Sequence, residues 1–186
     1  MRALSVRAAV AITLTLQASI GVAACAGFGP YVSPPAEAIG DADLIYVIGP
    51  PVRERVAVER ELRAERVADR SLYSVGLTGG YSAEELAVCA EPQVDCAHPT
   101  PFTTKGELAY LKQYAAEHDV ERTVVLTFTP HVARTRYILD KCYPGDAVVV
   151  AVDQNLVLAD WIAQYGYQSL AFVKAWLTPC ADASRL

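Results

Sequence analysis

An α/β fold, with a mostly parallel sheet covered by helices on both faces, is what the sequence predicts. Three observations carry that expectation. Short apolar, β-branched runs recur at residues 42–48, 71–75, 123–128 and 147–152, and none alternates apolar with polar as a strand wet on one side would. Segments of helical period lie between them, so strand and helix alternate. The junctions carry breakers and caps, Gly49-Pro50-Pro51 after the first run and Thr129-Pro130 after the third. The chain has 186 residues, enough for one compact Rossmann-like three-layer sandwich, and shows no internal repeat.

The first 24 residues stand apart. Arg2 and Arg7 give a positive start, and residues 8–24 are apolar but diluted by Thr13, Thr15, Gln17 and Ser19. Such a stretch is short for a spanning helix and has the character of a secretory signal peptide. It ends in Val22-Ala23-Ala24-Cys25, which resembles a bacterial lipobox. In such proteins the chain is cut before the cysteine, which then carries diacylglycerol. Cys25 is therefore the expected lipidation site, with an uncleaved signal anchor as the alternative. Residues 25–40, with Gly27, Gly29, Pro30, Pro34 and Pro35, read as a tether, residues 41–180 as the domain, and residues 181–186 as a tail. The expected location is outside the cytoplasm, either anchored to the cell membrane or secreted.

Cysteine usage agrees with export. Setting Cys25 aside leaves Cys89, Cys96, Cys142 and Cys180, an even number suited to an oxidising compartment. Of three possible connectivities the simplest pairs Cys89 with Cys96 and Cys142 with Cys180. The first closes a tight loop; the second joins two helix ends on the same side of the sheet. No C-x-x-C or H-x-x-x-H spacing supports a metal site. Net charge is −5, so no basic patch argues for nucleic acid.

In chain order, the strand at 42–48 leads to a charged helix at 53–68 whose apolar face (Val56, Val58, Leu62, Val67) is untidy. A second strand at 71–75 runs into Gly76-x-x-Gly79-Gly80, a weak phosphate-wrapping pattern. Residues 77–103 are too long and proline-rich for an ordinary connection, with Ser82 to Glu85 able to cap a short helix and the 89–96 bridge pinning the rest. A helix opens at Thr104-Lys105-Gly106-Glu107 with Leu108, Leu111 and Ala115 on one face. The strand at 123–128 passes directly into a helix capped by Thr129. After the strand at 147–152 comes a last helix at 156–177, with a break expected near Gly166. Its Trp161, Tyr165, Phe172 and Trp176 form a stripe of the spacing that usually faces a core.

Function is expected where the third strand meets its helix. Ligands in open α/β sheets bind outside the carboxyl ends of strands, and N–H groups of a helix start attract anions. His131, in that first turn, is held neutral by the positive helix end and suits acid–base work. Arg134, three residues on, suits bidentate grip of a carboxylate or phosphate. Glu107 has two readings: an acid–base partner of His131, or a capping-box residue folded back on Thr104. Arg136 and Asp140 have the spacing of a surface pair, while His98 and His118 show no partner. No G-x-S-x-G, H-E-x-x-H or P-loop is present, and no dinucleotide fingerprint supports NAD.

The stretches ADLIYVIGPPVRERV, PFTTKGELAYL and TVVLTFTPHVARTRYIL resemble the three sequence blocks of YdcF-like proteins, the group catalogued as domain of unknown function 218, over roughly residues 41–152. The middle block, with a cysteine shortly before it, is similar to secreted or membrane-anchored actinobacterial members. In that resemblance Gly49 matches the first glycine of a strand-end pair, and Arg55 a frequent arginine of the first helix. Thr104 and Glu107 match the central block; Thr127, His131 and Arg134 match the third. Pro50 replaces the second glycine, removing an N–H that could face a phosphate-like group, and Thr135 stands where alanine is usual. The resemblance implies a Rossmann-like fold and a role at the cell envelope. S-adenosylmethionine enters only as a ligand of some members, and the family as a whole has no established reaction. The expectation is thus a lipid-anchored envelope protein that binds an anionic or nucleoside-like small molecule, or an envelope precursor, through Gly49, Arg55, Thr104, Thr127, Thr129 and Arg134. Glu107 and His131 would be its catalytic pair if it turns substrate over. The alternative is a non-catalytic envelope interaction or scaffold protein.

Overall fold

The structure is a computed structural model that describes residues 2–181, so the predicted tail at 181–186 lies, but for its first residue, outside the described residues. Five parallel strands form one sheet: β1 (Leu44–Val47), β2 (Ser71–Ser74), β3 (Val94–Ala97), β4 (Arg122–Phe128) and β5 (Asp146–Val152), in spatial order β3-β2-β1-β4-β5. The predicted α/β class is therefore correct. Strand β1 sits between β2 and β4 (Tyr46 opposite Leu72 and Val125), and the chain turns one way to build β2 and β3 and the other to build β4 and β5. A crevice opens at such a switch point, beyond the carboxyl ends of β1 and β4.

Side chains of each strand alternate between two cores. Leu44, Tyr46 and Ile48 join Val125 and Val149 on one face, beneath α3 (Thr104–Glu117) and α4 (Val132–Cys142). Ile45 and Val47 join Val124 and Leu126 on the other, beneath α2 (Arg53–Ala64). Burial on both faces explains why the strands read as continuous apolar runs. Helix α2 ends at Ala64, shorter than the 53–68 expected, and its untidy face has a cause: Arg55 and Glu59 point inward with Leu62.

One strand escaped the sequence analysis. Strand β3 lies in the segment read as an irregular insert, because it is four residues long, lies at the sheet edge and buries only Val94. The Cys89–Cys96 bridge ties it to the preceding 3-10 turn, and Cys142–Cys180 joins the end of α4 to residues beyond α5 (Leu158–Leu177). Both expected pairings form, as suits a chain that folds outside the reducing cytosol. Helix α5 is continuous, with no break at Gly166, and its aromatic stripe is not core: Trp161, Tyr165 and Phe172 are half-buried and Trp176 is 65% exposed.

The N-terminal helix α1 (Arg2–Gly27) and its continuation are apolar and long enough to cross a membrane, and the span is exposed up to Gly27 wherever its burial is described. The expected free tether is in fact docked. Residues Phe28–Val32 form a π-helical turn whose Tyr31 is buried, its ring edge-on to Tyr165 and its hydroxyl 3.0 Å from Ser169 Oγ. Further on, Glu37 accepts a hydrogen bond from Val149 N (2.7 Å) and pairs with Arg136 (2.7 Å). Arg136 is thus the partner of Glu37 and not of Asp140, because the folded tether brings a carboxylate that spacing along one helix cannot reveal.

Candidate functional site

Strand β1 leaves the sheet at Ile48 and Gly49, where the backbone has no room for a side chain. A Cβ on Gly49 would stand 2.7 Å from the Phe102 ring and 2.8 Å from Ser74 O. The tightness lets Gly49 N donate to Glu107 Oε1 at 2.8 Å. Glu107 is delivered by α3, whose start is capped by Thr103 accepting from Gly106 N, and its own carbonyl accepts from Tyr46 OH on β1. The capping reading of Thr104 and Glu107 is therefore wrong by one residue. Thr103 does the capping, and Glu107 is free to turn its carboxyl to the strand ends.

Strand β4 leaves through a 3-10 turn (Thr129–His131) into α4, rather than through the predicted helix capped by Thr129. The cap position falls to Phe128, and Thr129 Oγ1 donates instead to Asp153 Oδ1 beyond β5. His131 is 6% exposed and threaded between two threonines, Nδ1 2.8 Å from Thr127 Oγ1 and Nε2 3.1 Å from Thr104 Oγ1. Thr104 Oγ1 also accepts from Arg134 Nη1 (3.3 Å), and its hydroxyl can serve His131 Nε2 as well, since it carries one hydrogen and two lone pairs. Arg134 Nε donates to Gln168 Oε1 (3.1 Å), and its guanidinium lies over the Tyr167 ring. From α2, Arg55 donates through Nη1 to Ile48 O (2.6 Å) and Pro50 O (3.0 Å), lies over Phe128, and keeps a buried Nε with no partner.

These groups surround a cavity of about 550 Å³ between the strand ends, α3, α4 and α5. Gly49, Arg55, Thr104, Glu107, His131 and Arg134 all line it. Thr127 stands behind His131, Thr129 faces away, and the Gly76–Gly80 turn does not take part. Sequence reasoning missed Gln168, Tyr167, Lys105 and Lys174 of the lining, all brought there by α3 or α5. Gln168 is fully buried, which its place in the sequence does not reveal.

Burial sets the electrostatics. Desolvation pushes the Glu107 carboxyl above its ordinary range, opposed by the Ser74 hydroxyl beside it, by the Gly49 N–H and by the charges of Arg55 and Arg134. Ser74 acts there without a well-aligned hydrogen bond, since its Oγ is buried and unpartnered. Desolvation holds His131 well below its usual value, and Arg134 and Arg55 push it further down. Arg55 is brought down to about 10, again by burial first. At neutral pH the site therefore presents a neutral imidazole whose two nitrogens are both engaged, two arginines, and a carboxyl whose ionisation burial opposes. His131 is enclosed, with the π-helical turn and α5 packed against the turn that carries it. Elsewhere, His98 Nδ1 lies 2.8 Å from Val75 O and His118 Nδ1 2.9 Å from Tyr114 O, both outside the cavity. Among the described residues no group of His, Cys, Asp and Glu could hold a metal ion.

Comparison of the chain with protein-family models, with curated proteins and with solved structures finds no match.

Proposed function

We propose that this chain is a membrane-anchored, extracytoplasmic protein of the YdcF-like type. It binds a small anionic or nucleoside-like molecule in the cavity at the β1/β4 switch point. One observation carries the reading. In a chain of net charge −5, the cavity collects four cationic side chains (Arg55, Lys105, Arg134 and Lys174) against a single carboxylate, Glu107. A concave site of that sign concentrates anions. Arg55 Nε, buried without a partner, is a donor that a ligand oxygen would satisfy.

The anchor belongs to the same reading: a chain cut before Cys25 and lipidated there begins beside the docked π-helical turn. Chemistry at the site falls to Glu107, whose raised pKa suits a general acid, with His131 holding Thr104 in place through its engaged Nε2. The occupied ring nitrogens favour binding over turnover, which keeps the non-catalytic envelope protein as the second reading.

The test is a panel of phosphate, carboxylates, nucleotides and S-adenosylmethionine screened by thermal shift on the full chain in detergent. Titration of wild type and Arg134→Ala with any hit follows. The reading expects an anionic hit whose affinity falls in Arg134→Ala. Equal affinity in the two proteins, or no shift with any anion, overturns it. Mass spectrometry of the native protein checks the anchor, since an unmodified Cys25 on an uncut chain excludes lipidation.

A further inference from the structure

Helix α5 is turned inside out. Its fully buried residues are Gln168, which exchanges hydrogen bonds with Arg134 and Gln164, and small Ala175. Its outward face carries Leu158, Ile162, Val173, Trp176 and Leu177, each more than half exposed (76, 67, 52, 65 and 68%). Between them stand only small or weakly polar residues such as Gly166 and Ser169, and the charges of the helix are limited to Asp160 and Lys174. A soluble surface helix has the opposite polarity.

The helix is nonetheless held firmly in this orientation. Lys105 Nζ donates to Ala175 O (3.0 Å) and Thr178 O (2.6 Å), and Lys141 Nζ to Ala175 O (3.2 Å) and Trp176 O (3.1 Å), closing its last turn from two other helices. The Cys142–Cys180 bridge fixes the chain just beyond it. The apolar face is therefore a fixed surface and not a frayed end.

The N-terminal segment says what covers it. The apolar span runs without a linker into the π-helical turn, and that turn is bound to α5 by the Tyr31–Tyr165 and Tyr31–Ser169 contacts. The last turn of α1 touches α5 too, since Tyr165 OH donates to Ala24 O (3.3 Å) and Gly27 leaves no room for a side chain against the Tyr165 ring. Whether the anchor is the intact span or a lipid on Cys25, it enters the bilayer within a turn or two of α5.

We infer that α5 docks onto the same lipid bilayer that receives the N-terminus, its Leu158–Ile162–Val173–Trp176 face lying at the boundary of headgroups and acyl chains. An amphipathic helix binds there by burying its apolar face about 5–10 Å deep, and tryptophan favours that depth. The inference rests on the membrane anchoring proposed above and is independent of what the cavity binds.

The chain contains two tryptophans, Trp161 and Trp176, both on α5, so tryptophan emission, excited selectively over the tyrosines, reports this helix alone. The full chain is reconstituted in phosphatidylglycerol–phosphatidylcholine vesicles with brominated acyl chains, and flotation records membrane attachment separately. Docking predicts quenching relative to unbrominated vesicles and loss of most of that quenching in Trp176→Phe. The double variant Leu158→Glu, Ile162→Glu alters exposed side chains only. It should lose the quenching while still floating through its anchor, with unchanged far-UV circular dichroism. A chain that floats but is not quenched overturns docking while leaving the anchor standing. A chain that does not float overturns both. Cross-linking of α5 to α5 in the unquenched chain would assign the face to a second copy.

Discussion

Two buried carboxylates, one from each face of the sheet, have been treated very differently by the fold. Glu59 of α2 is completely enclosed: Ser71 Oγ and Tyr73 OH donate to its two oxygens, and Arg63 Nε completes the set at 3.0 Å. The cavity at the strand ends does not reach it. Glu107 of α3, 4% exposed, receives one N–H, from Gly49, and the polar atoms around it are left over: Arg55 Nε and Ser74 Oγ have no partner. A cavity opens beside them. A saturated network has nothing left to offer a ligand, whereas an unsaturated one beside open volume has. Burial alone does not distinguish structure from function here; the count of unmet hydrogen bonds does.

The comparison breaks most visibly at Glu59. Glu59→Ala strands two buried hydroxyls, while Arg63 keeps its pairing with Glu91, and should cost about 1–3 kcal/mol of folding stability for each stranded hydroxyl in denaturant unfolding. Ligand affinity of the folded fraction should be unchanged. Arg134→Ala should behave in the reverse way: binding of an anion weakens by about 1.5–3 kcal/mol through the lost charge-assisted bond, while unfolding changes by only about 1 kcal/mol. If Arg134→Ala unfolds the protein as readily as Glu59→Ala, the two networks are not different in kind.

A pH series sharpens the contrast, because the groups around the cavity act in opposite senses. Glu107 has a folded pKa raised above its ordinary value of 4.5, so the stability it contributes is present at acid pH and is lost as pH climbs through the raised value. His131 has a folded pKa depressed below 6.5, so its contribution is complete above that value and is lost as pH falls beneath it. Glu107→Gln keeps the bond from Gly49 N and removes the first dependence; its stability should gain on wild type as pH rises from the acid side. The effect at neutral pH is the smallest of the set, within about 1 kcal/mol. A Glu107→Gln protein whose unfolding tracks wild type at every pH would mean that the carboxyl is ordinarily solvated.

Much of this was legible in the sequence, for reasons that differ from residue to residue. The strands announced themselves because both faces are buried, and His131 and Arg134 because a strand and a helix meet with a proline between them. The disulfides followed from parity and topology. Strand β3 was hidden by its brevity and by Asp95, half of its pattern facing solvent. The shift from Thr104 to Thr103 at the cap of α3 is the size of error expected when adjacent threonines compete for one position. Gln168 and the true orientation of α5 were beyond reach, because a hydrophobic stripe in a sequence does not say whether protein or lipid lies against it.

The attachment of Glu37 to the outer strand bears on how the protein can be handled. Strand β5 is an edge, and in a parallel sheet Val149 points both its N–H and its carbonyl outward. Glu37 takes the N–H, and Arg136, itself paired with Glu37, donates to the carbonyl at 3.2 Å. Together they occupy the place of a sixth strand. The run they shield, Ala147-Val148-Val149-Val150-Ala151-Val152, is uncharged and β-branched, the composition most prone to recruit another chain edge to edge. A recombinant fragment trimmed to begin at residue 41 would keep every residue of the sheet and lose this shield. It should therefore aggregate where a fragment beginning before Tyr31 stays dispersed.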